Sequence, residues 1–528
     1  MTRPPDDAPR GFLLRWLRFR PRLVLAGLAA GFLLAVAEFH DRDRGFTSLL
    51  SIGDILGETK VGALRAVPHH VYEGSAGYDG AYYVQLALHP ALDNPELLRA
   101  IDNLPYRARR ILTSWAAWVL GVGRPPWVVQ AYALLNVGCW LALGWVLLRW
   151  FPPDGWGNVI RWSAVMFSHG MAMSVRHSLV DGPALLLVAL AMRWLEDGRG
   201  LAGGAALALS GLAKETSLLA AAGLQVDPRA PRTWPAVAVR VALVAGPLCA
   251  WMAYVRWRFG PAEDPGMGNF TLPFAGYLEK LGAALRDATA IDATPLAWAT
   301  LATVVALAVQ WGFLVFRPRP DDRWWRVGAA FAAMAVFLST PVWEGFPGAS
   351  TRVLLPMTLA FNILVPRARK WLPLLLAGNL TVAASVFEFS PPREFFSVRA
   401  GGTLRDAVRV TAGKGWHGPE RHGRNTWRWC AGTGELKLVN HTGVPVKVAL
   451  SGQAGAGAGE QRLRVASGER MLFGGNFGPR LGEIRFGLTL PPGETVLVFE
   501  GDQPARRIGS DPRDLAFQVM NLEISVRP

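Results

Sequence analysis

Apolar runs long enough to cross a bilayer alternate with short arginine-rich turns as far as about residue 390, where the pattern changes. A helix needs roughly 20 apolar residues to span the hydrocarbon. The first such run, Leu23 to Ala37, lies in a helix predicted over Arg22 to Phe39 and follows a basic stretch holding Arg10, Arg15, Arg18, Arg20 and Arg22. No Ala-x-Ala-like cleavage site comes after it, so it reads as an uncleaved span with its basic flank in the cytoplasm. A long polar outer loop is expected over residues 40–125. Within it, Tyr82 to Leu88 and Arg109 to Leu120 carry helical apolar spacing and are expected to lie along the interface.

Further spans are predicted at Trp127 to Leu148, at Val159 to Val175 and Leu179 to Trp194 (a hairpin joined outside by Arg176-His177-Ser178), and at Trp234 to Trp257. After a second outer loop, residues 258–294, come Leu296 to Phe316, Trp325 to Leu338, Arg352 to Val365 and Trp371 to Phe387. The run Leu201 to Leu224 is interrupted by Lys214-Glu215-Thr216. A single straight span would leave Lys and Glu in hydrocarbon at a cost of about 2.5–3.5 kcal/mol each. Two short segments meeting at that tripeptide avoid the cost, and broken helices are tolerated where they line a polar cavity. With this break the basic turns, including Arg317, Arg319, Arg323, Arg326, Arg367, Arg369 and Lys370, all fall on one side. The expectation is a polytopic α-helical membrane domain over residues 1–394, with about 10–12 membrane segments.

From about residue 395 the apolar runs shorten and alternate, as in Leu436 to Asn440, Val446 to Leu450 and Thr495 to Glu500. Gly452 to Gly459, Gly474 to Gly478 and Pro491-Pro492-Gly493 read as turns between them. Short alternating runs at this spacing predict an antiparallel β-sandwich over residues 395–528. Because the last helix exits outward, this domain is expected to be extracytoplasmic. Trp427 and Trp429 fall on one face of a strand; they read as buried or interfacial, with stacking on a sugar ring as the alternative.

Composition supports the membrane reading: 51% of residues are hydrophobic and only 18% charged, against roughly 25% charged in soluble domains. The net charge of +15 would point to nucleic acid in a soluble protein. Here the arginines cluster in turns between apolar runs, as the positive-inside rule requires, and no basic stripe interleaved with aromatics tracks a phosphate backbone. Nucleic-acid binding is excluded on those grounds. Cys139, Cys249 and Cys430 have no redox or zinc spacing. No Walker-type loop or nucleotide fingerprint is present. His69, His70, Glu73 and Asp79 lie close in sequence without a metal motif, so the balance is against a divalent metal.

On this topology the outer face collects Asp79, Arg176, His177, Asp181, Lys214, Glu215, Glu344 and Arg352. Ionisable groups at a membrane boundary are costly and mark function or local pairing. Asp79 lies in Gly77-Tyr78-Asp79-Gly80, where an Asx-turn residue is one reading. Lys214 can make a structural pair with Glu215 or another carboxylate, and Asp181 can be a helix cap.

Several segments together resemble the GT-C superfamily of integral-membrane glycosyltransferases, in particular bacterial members that build cell-surface glycopolymers. They are Gly77-Tyr78-Asp79-Gly80 followed by Tyr82-Tyr83; Tyr106-Arg107-Ala108-Arg109-Arg110-Ile111-Leu112; Asp181-Gly182-Pro183; Lys214-Glu215-Thr216; and Ser350-Thr351-Arg352-Val353-Leu354-Leu355-Pro356. The resemblance covers most of residues 10–390, and Asp511-Pro512-Arg513 before a strand is similar to the β-domains attached to such proteins. It implies a transferase on the periplasmic face of a bacterial inner membrane. Such an enzyme moves a sugar from polyprenyl phosphate to a glycan, lipid or protein acceptor with inversion. By the same resemblance Asp79 is the base. Lys214, Arg352, Arg109 and Arg110 meet the donor phosphate, and Tyr78, Asp181, Glu215, Glu344 and His177 bind or orient the acceptor. A transporter or flippase for lipid-linked glycans, or a non-catalytic assembly factor, is the alternative. The long outer loop, the β-domain and the lack of an internal repeat speak against transport.

Overall fold

The computed structural model describes residues 21–42, 44–54, 59–72, 75–224, 234–262, 266–391, 396–400, 408–422, 425–508, 511 and 513–527. Two compact units are formed, Met1–Val71 with Gly77–Ser390, and Tyr72–Ala76 with Pro391–Pro528.

The principal helices of the first unit are α1 (Pro21–Ala37), α2 (Gly80–Leu88), α3 (Leu104–Arg107), α4 (Leu112–Leu120), α5 (Pro125–Leu147), α6 (Trp156–Met166), α7 (His169–Arg176), α8 (Asp181–Glu196), α9 (Gly200–Ala213), α10 (Trp234–Phe259), α11 (Ala275–Thr289), α12 (Pro295–Phe316), α13 (Arg323–Phe337) and α14 (Leu355–Leu364). Among the described residues three helices, Pro125–Leu147, Pro235–Phe259 and Pro295–Phe316, are long and apolar enough to cross a membrane. Helix α10 is apolar yet mostly exposed, with Val239, Leu243 and Trp257 on its surface. An apolar helix with so little protein against it needs lipid around it.

Most of the other predicted spans are shorter or broken. The run Val159 to Val175 divides at Phe167-Ser168 into α6 and α7, and Leu201 to Leu224 divides at Lys214 into α9 and a 3-10 helix, Glu215–Gly223. Trp371 to Phe387 becomes two short helices, Leu372–Ala377 and Val382–Ser385, separated by Gly378 to Thr381. Asn379 in that gap exchanges side-chain amide hydrogen bonds with Asn362, both at 2.9 Å, so the broken segment is paired inside the bundle.

The segment expected as the first outer loop is folded. Leu50, Ile52, Leu64, Tyr83, Val84, Leu97 and Ile111 bury against Val128, Val129 and Tyr132 of α5 in a core of their own. Helix α2, expected along the interface, instead turns Tyr83, Val84, Leu86 and Ala87 into this core. In α4 the expectation of an exposed apolar face fits better, with Trp118, Val119 and Leu120 outward. The main core lies deeper, where Trp140 stacks on Phe32 with ring centroids 3.8 Å apart and donates its indole N–H to the Met166 carbonyl at 2.9 Å. The segment expected as the second outer loop contains α11, which residue periodicity alone did not single out.

The second unit is built from β1 (Phe396–Ala400), β2 (Val408–Ala412), β3 (Glu420–His422), β4 (Asn425–Cys430), β5 (Thr433–Asn440), β6 (Val446–Ala456), β7 (Gln461–Ser467), β8 (Arg470–Phe477), β9 (Gly482–Leu490), β10 (Gly493–Gly501) and β11 (Phe517–Arg527). One sheet runs β3-β4-β11-β6-β9 with β1 alongside β11, and the other β2-β5-β10-β7-β8. Every pairing is antiparallel except β1 with β11. The inward-facing Leu436, Leu438, Leu450, Val465, Leu497, Phe499 and Ile524 fill one core.

Two glycine-rich stretches expected as turns lie largely in strands. Gly452 of β6 faces the bulge of β11 between Met520 and Glu523, where an added Cβ would come within 3.2 Å of the Leu522 Cα and the Met520 oxygen. Gly474 and Gly475 lie in β8. Trp427 and Trp429 are half-buried on the face of β4 opposite the buried Arg428 and Cys430.

Candidate active site

Asp79 stands immediately before α2, held there by two glycines. Gly77 has φ +77°, a conformation L side chains rarely adopt, and a Cβ on Gly80 would lie 2.2 Å from the His177 carbonyl oxygen. The Asp79 side chain neither caps α2 nor folds back onto its own turn. Its Oδ1 forms an ion pair with Arg107 Nη1 at 2.9 Å, and its Oδ2 accepts from Arg352 Nη2 at 3.3 Å. Arg107 is anchored from its other edge by Asp102, through Nε at 3.0 Å and Nη2 at 2.8 Å.

Arg352 comes from the helical turn Ser350–Val353, which packs on α7 because Gly170 has no side chain; a Cβ there would meet the Thr351 oxygen at 2.3 Å. Its Nη1 donates to Asp181 Oδ2 at 3.2 Å. Asp181 Oδ1 pairs with Lys214 Nζ. Lys214 ends α9 in an extended conformation, so its ammonium sits where the helix dipole favours a cation. It therefore pairs with Asp181, not with its sequence neighbour. Asp181 starts α8 without capping it. Glu215 takes a two-pronged hydrogen bond from Arg110, Nε at 2.8 Å and Nη2 at 2.6 Å. Arg110 also donates to the hydroxyls of Tyr83 and Tyr106, each at 2.9 Å.

These groups border one cavity of about 990 Å³. Its lining combines the charged Asp79, Asp102, Arg107, Arg109, Arg110, Lys214, Glu215 and Arg352 with the apolar Leu218, Leu219, Met334, Phe337, Val342 and Val353. Counting Asp181 behind Lys214, four carboxylates (Asp79, Asp102, Asp181, Glu215) face five cations (Arg107, Arg109, Arg110, Lys214, Arg352), a formal surplus of +1. A lining that joins cations to apolar side chains suits an amphiphile with an anionic head. Burial pushes the Asp79 carboxyl up, but Arg352, Arg107 and Arg110 outweigh it and hold the group below the usual carboxylate range. Asp79 is thus firmly ionised.

A second cluster lies behind the first. Glu388 accepts from His169 Nε2 at 3.1 Å and from His177 Nε2 at 3.3 Å. His177 Nδ1 is 2.8 Å from the Ser51 hydroxyl, which also accepts from Arg176 Nη1 at 3.1 Å. The Tyr78 ring stacks on His177 at 4.6 Å between centroids, and the Arg352 guanidinium lies 5.6 Å from the Tyr78 ring centre. Tyr78 and His177 therefore adjoin the cavity from behind. Glu344 is exposed and does not border it. Arg107, Glu388 and His169 were not singled out from sequence. The first was legible in principle, since residues 107 and 110 share a helical face at i, i+3.

Burial raises Glu388, but the hydrogen bonds from His169 and His177 outweigh it and leave its carboxyl well below the usual range. Burial likewise keeps His177 below its ordinary value despite Glu388. A carboxylate with a depressed folded value contributes stability above its unfolded pKa and loses it as pH falls through the folded one. Glu388→Gln should therefore cost about 1.5–3 kcal/mol near neutral pH, read as a lower thermal midpoint in detergent. The gap to the parent protein should narrow below about pH 4. An equal gap at both pH values would remove the charge from this account.

The residues considered for a metal do not assemble. His69 donates Nδ1 to the Val67 carbonyl at 2.7 Å and takes Lys60 Nζ on Nε2 at 3.3 Å, while His70 Nδ1 faces Arg44 Nη1 at 3.3 Å. Glu73 lies outside the described residues. Among the described residues no group of three His, Cys, Asp or Glu is arranged to hold a metal. Each Asp79 oxygen already faces a guanidinium, so a divalent cation does not fit against it.

No family model matches the chain, and no curated protein matches it. Among solved structures it is similar to the arabinosyltransferase EmbB from Mycobacterium smegmatis, determined by single-particle cryo-EM. The TM-score is 0.31 at 12% identity, over 99% of this chain and 65% of that one. The chain thus spans about two thirds of the length of that relative, and a likeness at this level says nothing about activity or substrate.

Proposed function

We propose that the protein is a membrane glycosyltransferase that moves a sugar from a polyprenyl-phosphate donor to a glycan, lipid or protein acceptor at the outer face of a bacterial cytoplasmic membrane. The observation that carries this reading is the meeting of Asp79 with several cations in a cavity whose lining also includes a set of apolar side chains. The apolar side chains suit the first units of a prenyl chain, and the cations suit its phosphate.

In the proposed reaction the acceptor hydroxyl oxygen attacks the anomeric carbon. The bond from that carbon to the phosphate oxygen breaks, with its electron pair going to the oxygen. The hydroxyl proton passes to Asp79, and the configuration inverts in this single displacement. Arg352 and Lys214, with Arg107, Arg109 and Arg110 at the rim, offset the charge that develops on the departing phosphate. Asp181 and Glu215 hold Lys214, Arg352 and Arg110 in position. Tyr78 and His177 brace Arg352 and the glycine turn behind Asp79.

The test is a transfer assay in nanodiscs with a polyprenyl-phosphate sugar labelled in the sugar. The expected result is label on an acceptor together with stoichiometric release of polyprenyl phosphate. Label that crosses the bilayer of a sealed vesicle still attached to its lipid, with no transfer, would instead establish a flippase.

A further inference from the structure

We propose that Arg107 and Arg352 form a clamp for which the Asp79 carboxylate and the donor's phosphate compete, so that binding the phosphate is what frees Asp79 to act as a base. This deepens the transferase reading and rests on it.

The geometry makes the exchange possible without moving either arginine. Arg107 spends Nε and Nη2 on Asp102 and offers only Nη1 to Asp79. Arg352 spends Nη1 on Asp181 and offers only Nη2 to Asp79. Each guanidinium is thus fixed by a second carboxylate, and each faces Asp79 with one terminal nitrogen that a phosphate oxygen can take over. Arg352 has a further donor in reserve, since its Nε is buried with no hydrogen-bond partner in the protein. A buried donor left unpaired is costly, and here it lies on a residue that borders the cavity.

The electrostatics give the exchange a direction. A carboxylate between two guanidiniums is a weak base, because protonating it forfeits both pairs. Beyond these two, Asp79 is faced by Arg110 from the first loop, by Asp181 across Arg352, and by the hydroxyls of Tyr78, Tyr82 and Tyr83. None of these can replace the two arginines. When a phosphate draws on their charge, Asp79 becomes a better proton acceptor at the moment the donor is seated. The converse follows by linkage: removing the Asp79 charge must tighten phosphate binding.

The test uses the full-length protein in nanodiscs with polyprenyl phosphate as the probe, and Asp79→Asn as the variant. The expected result is about tenfold tighter binding of polyprenyl phosphate by D79N, together with loss of transfer. Binding no tighter than in the parent protein would overturn the clamp while leaving the base assignment intact. Full transfer by D79N would overturn the base assignment whatever the binding shows. Calorimetry of the unsubstituted protein in buffers of different ionisation heat supplies a measurement that needs no variant. Proton uptake on binding at about pH 4, within the ordinary carboxylate range, beyond that from the phosphate itself, is expected, and none would refute the exchange. Inorganic phosphate is measured alongside. Tightening by D79N for inorganic phosphate but not for the lipid phosphate would assign the clamp to a soluble anion and refute the donor's part in it.

Discussion

Asp79→Asn is expected to lower kcat for sugar transfer roughly a hundred- to ten-thousand-fold, the range over which a positioned general base contributes. The amide matches the carboxylate in shape, so the turn at Gly77 and Gly80 and the packing of α2 should be kept. What is lost is the proton acceptor. The pH profile makes the expectation sharper. A base must be ionised, so activity falls as pH drops through its pKa. In the free enzyme the arginines hold Asp79 below the usual carboxylate range, which puts the acid limb of kcat/KM low. If the donor phosphate takes over those arginines, the limb of kcat, which reports the occupied enzyme, should lie at higher pH. Coincident limbs would argue against the exchange, and an unchanged kcat in a folded D79N protein would remove Asp79 from the chemistry.

The second large effect concerns the fold. Asp181 sits between Lys214 and Arg352, and all three are nearly buried. Asp181→Ala leaves the nearly buried Lys214 without its carboxylate. Removing one member of a buried pair costs about 3–5 kcal/mol, because the other charge stays behind. The expectation is little folded protein after detergent extraction and a sharply lower thermal midpoint. Asp181→Leu combined with Lys214→Met removes both charges at similar volume and should recover much of the loss. Recovery of the fold without recovery of transfer would separate the structural pairing from the role of Lys214 at the phosphate. A single Asp181→Ala variant as stable as the parent would mean that water reaches Lys214 after all.

What sequence reveals of this molecule depends on the range of the interaction involved. Bilayer-length runs and strand alternation are local, so α5, α10, α12 and the β-unit could be located from spacing. The break at Lys214 was also legible, since an apolar helix interrupted by Lys-Glu-Thr has no good straight solution. Partners were not legible. Lys214 bonds Asp181, 33 residues earlier, and Glu215 next to it bonds Arg110, 105 residues earlier; neighbouring side chains at the break leave in different directions. Glu388 escaped notice because one acid after an apolar run looks like the end of a span, and its histidine partners lie 219 and 211 residues away. Glu344 failed in the opposite sense: it shares the predicted side of the membrane with Asp79, but membrane side constrains depth and not lateral position. The interface role expected for α2 failed because an apolar face looks the same whether lipid or a folded loop covers it.

The pairing of Asp79 with Arg352 joins groups 273 residues apart. At ordinary synthesis rates of roughly 5–20 residues per second, the second follows the first by tens of seconds. Asp181 and Lys214 follow Asp79 by 102 and 135 residues, and only Arg352 then joins the Asp79 pair to the Asp181 pair. The charged network is therefore closed late in synthesis, by the last of its members to be made.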